Sequence, residues 1–258
     1  MGKPIDARLL IHKGHFMLKA FWRSFQVAVA MLTRLPAPPI ESFTAEEKGR
    51  GLIWLPIIGA LMGGVLAAAA VWVLPGVEPI LASVILLTLW LFVSELHHLD
   101  ALAQCVSGWL FGKPVDAHVD TTPANHLGVV GVVALVMMMK FSALAVLLEY
   151  GNWIYILLAP VIARFLVIAL IGFTPVARNE SLAHEFHIEF PYVALFLWLL
   201  MAVPAALVVG MPMFVVFVAL LLLRFRMMRY SGGVTWSAIG ASIVLLEAVG
   251  LFAAAVLA

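Results

Sequence analysis

Long apolar runs separated by short polar connections make up most of the chain. Seven of these runs are predicted to form helices, at residues 52–74, 80–99, 127–148, 153–173, 192–209, 213–223 and 238–257. An α-helix of about 20 apolar residues crosses the hydrocarbon core of a bilayer with its backbone polar groups satisfied internally. The pattern therefore predicts an all-α, polytopic integral membrane helix bundle with about seven spans.

The run at residues 213–223 is shorter than the others and lies next to helix-breaking residues. Pro204, Gly210 and Pro212 precede it. Proline removes a backbone hydrogen bond from a helix, and glycine adds backbone freedom. We expect a broken or re-entrant element at this place.

The N-terminal residues 16–35 show a different pattern. The basic residues Lys19, Arg23 and Arg34 lie among Phe, Trp, Val and Met side chains. An amphipathic helix of this kind lies in the membrane interface, with its apolar face toward the acyl chains. The segment is predicted to be an N-terminal amphipathic interfacial helix, with an extra, poorer span as the alternative.

The composition also indicates a membrane protein. Hydrophobic residues make up 64% and charged residues 11% of the 258 residues, whereas soluble domains are nearer half apolar and a quarter charged. The mean hydropathy is +1.11. A net charge of +1 predicts no nucleic-acid partner, and the single Cys105 excludes an internal disulfide. We expect one membrane-embedded domain over residues 1–258, with residues 1–50 as a cytoplasmic or interfacial segment.

The distribution of Lys and Arg predicts the orientation of the helices. Eight of the 15 basic residues precede Leu52, and cytoplasmic segments carry an excess of Lys and Arg. With the N-terminus in the cytoplasm, the short outer connections contain no Lys or Arg. The longer polar connections then all face the cytoplasm, at residues 36–50, 100–126, 174–191 and 224–237. We expect the functional site on that side.

The stretch ELHHLDALAQCVSGW, residues 95–109, places ionisable residues directly after an apolar run. On a helix, Asp100, Gln104 and Ser107 share a face, whereas Glu95 lies about 140° away from Asp100 if the helix is unbroken. The stripe is interpreted as a cation site. The alternative is a helix end among the lipid headgroups, where polar residues are expected.

Polar residues also surround the start of the third predicted span. Asp116, His118 and Asp120 are metal-ligand types, but the segment is also typical of a solvated loop. Asn125 and His126 precede a helix start, where free N–H groups favour an anion. The glycines that follow are equally explained by close helix packing.

Lys140 and Arg164 are ionisable residues well inside predicted spans, where such groups are costly and often functional. Arg164 and Arg178 together could clamp phosphate oxygens, because a guanidinium binds them through two hydrogen bonds. The alternative is snorkelling toward the headgroups or pairing with Glu247. Phosphate binding is also a hypothesis for the turn before the last helix, which contains Gly232, Gly233 and Thr235.

Seven short motifs resemble one known family in order and spacing. They are LTRLPAPP at 32–39, EEKGRGLIWLPIIGALMGG at 46–64, HLDALA at 98–103, HLGVVGVVAL at 126–135, APVIARF at 159–165, PVAR at 175–178 and GGVT with IGA at 232–241. The family is cobalamin synthase, also called adenosylcobinamide-GDP ribazoletransferase. The resemblance covers nearly the whole chain.

The resemblance implies a multi-pass enzyme of late cobalamin biosynthesis in the cell inner membrane, dependent on Mg²⁺. In the implied reaction, the hydroxyl of α-ribazole or its 5′-phosphate attacks the phosphorus next to cobinamide in adenosylcobinamide-GDP, and GMP leaves. Metal and cationic groups would offset charge on the oxygens. The candidate residues are His98, Asp100 and His126 for catalysis, Asp100 and Glu247 for the metal, and Asn125, Arg164, Arg178, Gly232, Gly233 and Thr235 for substrate phosphates.

The chain departs from the family pattern at several acidic positions. Where the family typically reads HLDGLADTADG, this chain reads HLDALAQCVSG. Asp100 therefore matches, whereas Gln104 and Ser107 stand at positions of acids. Ala124 and Ser237 replace two further acids, so the stripe keeps the family's spacing with most of its charge removed.

Three hypotheses about function stay open. The first is a divergent member of the family, and the second is a related transferase with a changed substrate or metal that uses His97, His98 and His126. The third is a catalytically impaired relative that binds a corrinoid or a partner enzyme. Membrane lipid is an expected partner, and a homo-oligomer or a complex with other nucleotide-loop enzymes stays open.

Overall fold

The computed structural model describes residues 7–33, 35–111, 123–177 and 181–257. Side chains are not described for residues 7–17, 95, 97, 111, 123–126, 181, 201, 203–205 and 208. Within the described ranges the α-helices are α1 (Ala7–Leu32), α2 (Ala45–Gly51), α3 (Leu55–Ala68), α4 (Pro79–Trp90), α5 (Leu96–Phe111), α6 (Pro123–Glu149), α7 (Trp153–Phe173), α8 (Ser181–Ile188), α9 (Tyr192–Val209), α10 (Met211–Tyr230) and α11 (Trp236–Leu257). The predicted all-α bundle is confirmed.

Several of these helices are long and apolar enough to cross a bilayer. In the part of the chain that the structure describes, five segments qualify: Ala45–Val73, Leu127–Glu149, Trp153–Phe173, Met211–Tyr230 and Trp236–Leu257. The bent pair Pro79–Ser94 and His98–Leu110 makes a sixth if it counts as one span. α9 occupies the remaining predicted segment. The chain is therefore a multi-pass membrane protein.

The second predicted span is not one straight helix. After α4 the backbone widens into a π turn over Leu91–Glu95, and the axes of Pro79–Ser94 and His98–Leu110 differ by 88°. π turns often occur at functional positions in helices. The prediction of one helix to residue 99 was wrong, and Glu95 and Asp100 do not lie on one unbroken helix. α5 instead packs across α11.

α10 is continuous, so the predicted broken or re-entrant element was also wrong. Pro212 lies in its first turn, where the missing N–H removes no helical hydrogen bond. Gly210, with a φ of +71°, forms the turn before it. At its other end α10 includes Arg224, Arg226 and Arg229. A membrane helix tolerates arginines near its end because their long side chains can reach polar surroundings.

The predicted polar connections contain short helices. α2 begins after Thr44, whose hydroxyl accepts a hydrogen bond from the N–H of Glu47, while the Glu47 carboxylate accepts one from the N–H of Thr44. This reciprocal capping stabilises the first turn. α8 packs on α2. The approach is close, since a Cβ added at Gly49 would lie 2.2 Å from the carbonyl oxygen of Glu189, the residue after α8.

α3, α7 and α11 form the centre of the bundle. Gly59 and Gly63 of α3 lie against α7, where an added Cβ would be 2.7 Å from the Pro160 oxygen and 2.2 Å from the Leu157 oxygen, respectively. Small residues four apart let helix backbones approach in this way. The N-terminal α1 buries its end, including Leu32, against α2 and α3.

Candidate active site

Two distant connections pair at one end of the bundle. Val176, after α7, forms a β-bridge with Val234, before α11. The N–H of Ala177 donates to the Val234 oxygen at 3.0 Å, and the N–H of Val234 donates to the Pro175 oxygen at 2.8 Å. The motifs PVAR and GGVT, which lie more than 50 residues apart in the sequence, are therefore neighbours.

The two glycines and the threonine of GGVT have structural roles in this pairing. A Cβ added at Gly233 would lie 2.3 Å from the Pro175 oxygen, so only glycine permits the approach. Gly232 has a φ of +70°, which glycine adopts without strain. Thr235 caps α11, since its Oγ1 accepts a hydrogen bond from the N–H of Ala238 at 3.1 Å. Their predicted role in phosphate binding stays a prediction.

α5 lies against the same end of α11. Ser237 Oγ donates to Gln104 Oε1 at 2.5 Å. One turn further along α11, a Cβ added at Gly240 would be 2.8 Å from the Ala101 Cβ and 3.3 Å from His98 Nδ1. The bend after α4 and the small residue at 240 thus allow the polar stretch of α5 to contact the start of α11.

The predicted polar stripe divides by exposure. Asp100 and Gln104 are exposed, whereas Ser107 is 9% exposed and His98 is 4% exposed. Gln104 and Ser237, which both stand where the family has acids, are joined by their hydrogen bond. Asp100 lies one turn before Gln104 and presents a solvent-accessible carboxylate beside this pair. The catalytic role of His98 stays a prediction.

Two contacts near this end were not found from the sequence. Trp236, at the start of α11, stacks on Phe186 of α8 with ring centroids 5.4 Å apart. Lys48 of α2 is nearly buried and forms an ion pair with Glu185 of α8. The EEKGRG motif contains this lysine, but nothing in its spacing identifies a partner 137 residues away. Both contacts fix α8 beside the paired connections.

A second polar cluster lies inside the bundle. Glu247 of α11, fully buried, accepts a hydrogen bond from Lys140 Nζ of α6 at 2.7 Å and forms an ion pair with Arg164 of α7. Arg164 also donates to Ser94 Oγ at 2.9 Å. Lys140 lies 4.2 Å from the centroid of the Trp90 ring, a cation–π distance. We call Lys140, Arg164 and Glu247 the ion triad; the one buried carboxylate pairs with both buried cations.

The ion triad bears on two of the predicted roles. Arg164 is fully buried and pairs with Glu247. This pairing is the alternative that the sequence analysis set against a phosphate clamp. The structure thus brings Glu247 to Lys140 and Arg164, and its predicted role as a metal ligand together with Asp100 stays a prediction.

Several candidates lie outside the described residues. Arg178 and the segment with Asp116, His118 and Asp120 are among them, and the side chains of Asn125 and His126 are not described. Among the residues that the structure describes, no three His, Cys, Asp or Glu side chains come together as a metal site. The predicted roles of these candidates stay predictions.

Comparison with known proteins shows the family to which the chain is similar. Residues 24–255 match the family described as cobalamin-5-phosphate synthase. The chain is 35% identical over 240 residues to the adenosylcobinamide-GDP ribazoletransferase of Pseudomonas aeruginosa PAO1, covering 90% of this chain and 98% of that protein. It is 33% identical over 232 residues to the enzyme of that name from Stutzerimonas stutzeri A1501, covering 87% and 92%, respectively.

A third relative gives the same result. The adenosylcobinamide-GDP ribazoletransferase of Pseudomonas fluorescens Pf-5 is 34% identical over 239 residues, covering 88% of this chain and 95% of that protein. No solved structure gives a significant match. The family match extends over the helices that form both polar clusters. This chain belongs to the cobalamin-5-phosphate synthase family.

Proposed function

We propose that this chain is an adenosylcobinamide-GDP ribazoletransferase of late cobalamin biosynthesis. It would transfer adenosylcobinamide phosphate to α-ribazole or its 5′-phosphate and release GMP. The observation that carries the proposal is that three of the family's motifs, in α5, after α7 and before α11, meet at one end of the bundle. The relatives named for this activity match the chain along almost its whole length.

The exposed polar surface around Asp100 fits a Mg²⁺ ion held mainly by substrate. Mg²⁺ sites in phosphate enzymes commonly use one or two carboxylates, with substrate phosphates and water completing the shell. Asp100 supplies one accessible carboxylate, and Gln104 and Ser237 supply neutral oxygens beside it. When bound, the metal would offset negative charge on the phosphate oxygens. Glu247 does not fit as a ligand of the same ion, because the ion triad occupies it.

The residues of the chain would orient the substrate in this proposal. The start of α11 carries the positive end of the helix dipole and N–H groups that favour an anion, so a pyrophosphate would bind there. Gly232 is exposed and has open space around it, so no side chain covers the backbone of the turn at that residue. The Gln104–Ser237 hydrogen bond holds α5 at that turn, and the packing of Ala101 on Gly240 fixes their separation.

The proposed orientation follows the basic residues. The N-terminus and the candidate active site would face the cytoplasm of a bacterial inner membrane, with Arg224, Arg226 and Arg229 at the same face. Adenosylcobinamide-GDP carries phosphate charges that do not cross a bilayer, so a cytoplasmic site would give access to it.

Release of GMP tests the proposed function. The full chain would be reconstituted in liposomes with adenosylcobinamide-GDP, α-ribazole and Mg²⁺. We expect turnover by the wild type and at least a roughly 100-fold slower rate for Asp100→Asn, the range over which lost electrostatic stabilisation acts. Glu149→Gln, an equivalent change at another exposed acid, should keep the wild-type rate. An Asp100→Asn variant as active as the wild type would contradict the assignment of Asp100.

A further inference from the structure

A deep apolar groove runs between α7, α9 and α10, away from both polar clusters. Its volume is about 730 Å³, within the roughly 300–1,000 Å³ typical of small-molecule sites. Buried side chains of α7, including Leu166 and Leu170, form its floor, and exposed side chains of α10, including Phe214 and Phe217, form its rim. The groove is therefore a formed recess in the outer surface of the bundle.

The shape of the groove suits an extended apolar chain. Phe214, Phe217, Leu221 and Arg224 line it from α10, at the spacing that places residues on one side of a helix. From Gly210 to Arg224 the lining extends about 21 Å along α10. One leaflet of the hydrocarbon core is about 15 Å thick, so an acyl chain of a membrane lipid can lie in the groove along its length.

One charged residue stands at the end of this apolar lining. Among the described lining residues, Arg224 is the only ionisable one. Its Nε and Nη2 donate to the carbonyl oxygen of Phe173 at 3.3 and 3.2 Å, which holds the exposed guanidinium at the last residue of α7. A guanidinium has five N–H donors. The remaining donors of Arg224 can bind an anionic group at the mouth of the groove.

We propose that this groove binds one anionic phospholipid from the surrounding bilayer, with an acyl chain along α10 and the phosphate at Arg224. An apolar recess that ends in a cation is complementary to a ligand with an apolar tail and an anionic head. Basic pockets between membrane helices bind anionic headgroups. The absence of acidic side chains among the described lining residues favours a headgroup of net negative charge over a zwitterionic one.

Lipid retention by matched variants tests this site. The full chain would be released from nanodiscs containing equal amounts of phosphatidylglycerol and phosphatidylethanolamine, and bound lipid would be counted by native mass spectrometry. We expect one phosphatidylglycerol per wild-type chain. Arg224→Gln should lower its retention about tenfold, as loss of a charge-assisted hydrogen bond does. Arg226→Gln, an exposed arginine about 200° round the same helix, should retain it fully.

A second variant tests the apolar part of the groove. Ala206→Trp, on the α9 wall, should fill the groove and exclude phosphatidylglycerol while Arg224 is unchanged. Retention unaffected by Arg224→Gln and Ala206→Trp would overturn the site, and if one of the two variants is unstable, unaffected retention in the other would do so. Equal retention of the two lipids would also overturn it, because that is the behaviour of unselective surrounding lipid. A lipid-free dimer that covers α9 and α10 would assign the groove to a second copy of the chain instead.

Discussion

Replacing Glu247 by Gln should destabilise the protein more than any other single removal of charge among the described residues. The change keeps the size of the side chain but removes the carboxylate that pairs with both Lys140 and Arg164. All three side chains have 0% exposure, so water cannot replace the lost partner. Breaking a buried ion pair from one side costs about 3–5 kcal/mol, and we expect Glu247→Gln to fall in that range.

The free energy of unfolding would be measured by SDS titration in mixed micelles, followed by tryptophan fluorescence. Glu149→Gln provides the control, because Glu149 is exposed at the end of α6 and its loss should change the free energy by less than about 0.5 kcal/mol. Lys140→Met in both backgrounds completes a double-mutant cycle, with an expected coupling of about 2 kcal/mol. A loss below 1 kcal/mol for Glu247→Gln, or no coupling, would refute the stabilising role of the ion triad.

Three further predictions concern the candidate active site and its orientation. Gly233→Ala should lower the unfolding temperature and the rate of GMP release, since its Cβ would lie 2.3 Å from the Pro175 oxygen, whereas Gly64→Ala, with open space around its Cβ, should change neither. Replacing Gln104, Ser107 and Ser237 together by Asp should make thermal stability depend on Mg²⁺, because carboxylates brought this close repel one another without a cation; equal unfolding temperatures with Mg²⁺ and with a chelator would contradict this. In a Cys105→Ala background, Tyr150→Cys should react with an impermeant thiol reagent added outside intact cells and Glu41→Cys should not, and the reverse pattern would invert the proposed orientation.

The apolar pattern predicted most of the helices because bilayer-spanning segments leave a strong signal in hydropathy. α7 and α9 have the predicted bounds. The end of α10 was missed because three arginines lower the hydropathy although helix geometry continues. The 88° bend was missed because the π turn at Leu91–Glu95 consists of ordinary residues, and no local composition distinguishes it from α-helix.

The sequence predicted the candidate site less completely than the fold. The family resemblance identified positions 104 and 237 as replaced acids, and the structure joins them by a hydrogen bond. The pairing of Arg164 with Glu247 was one of two alternatives, since a buried guanidinium requires some anion but sequence alone does not show which one. Ser94 and Trp90 were not predicted members of that cluster, because contacts across four helices depend on packing.

The bend after α4 also shapes the membrane around the protein. The straight segment Pro79–Ser94 is about 24 Å long at 1.5 Å per residue, several ångströms shorter than the roughly 30 Å hydrocarbon core. A short span is matched by local thinning of the bilayer, at fractions of a kcal/mol per Å. Because α5 is turned almost perpendicular to α4, we expect it to lie where the lipid surface is locally lowered. Asp100 would face water below the level of the surrounding headgroups, where a large polar substrate is partly enclosed by lipid as well as by protein.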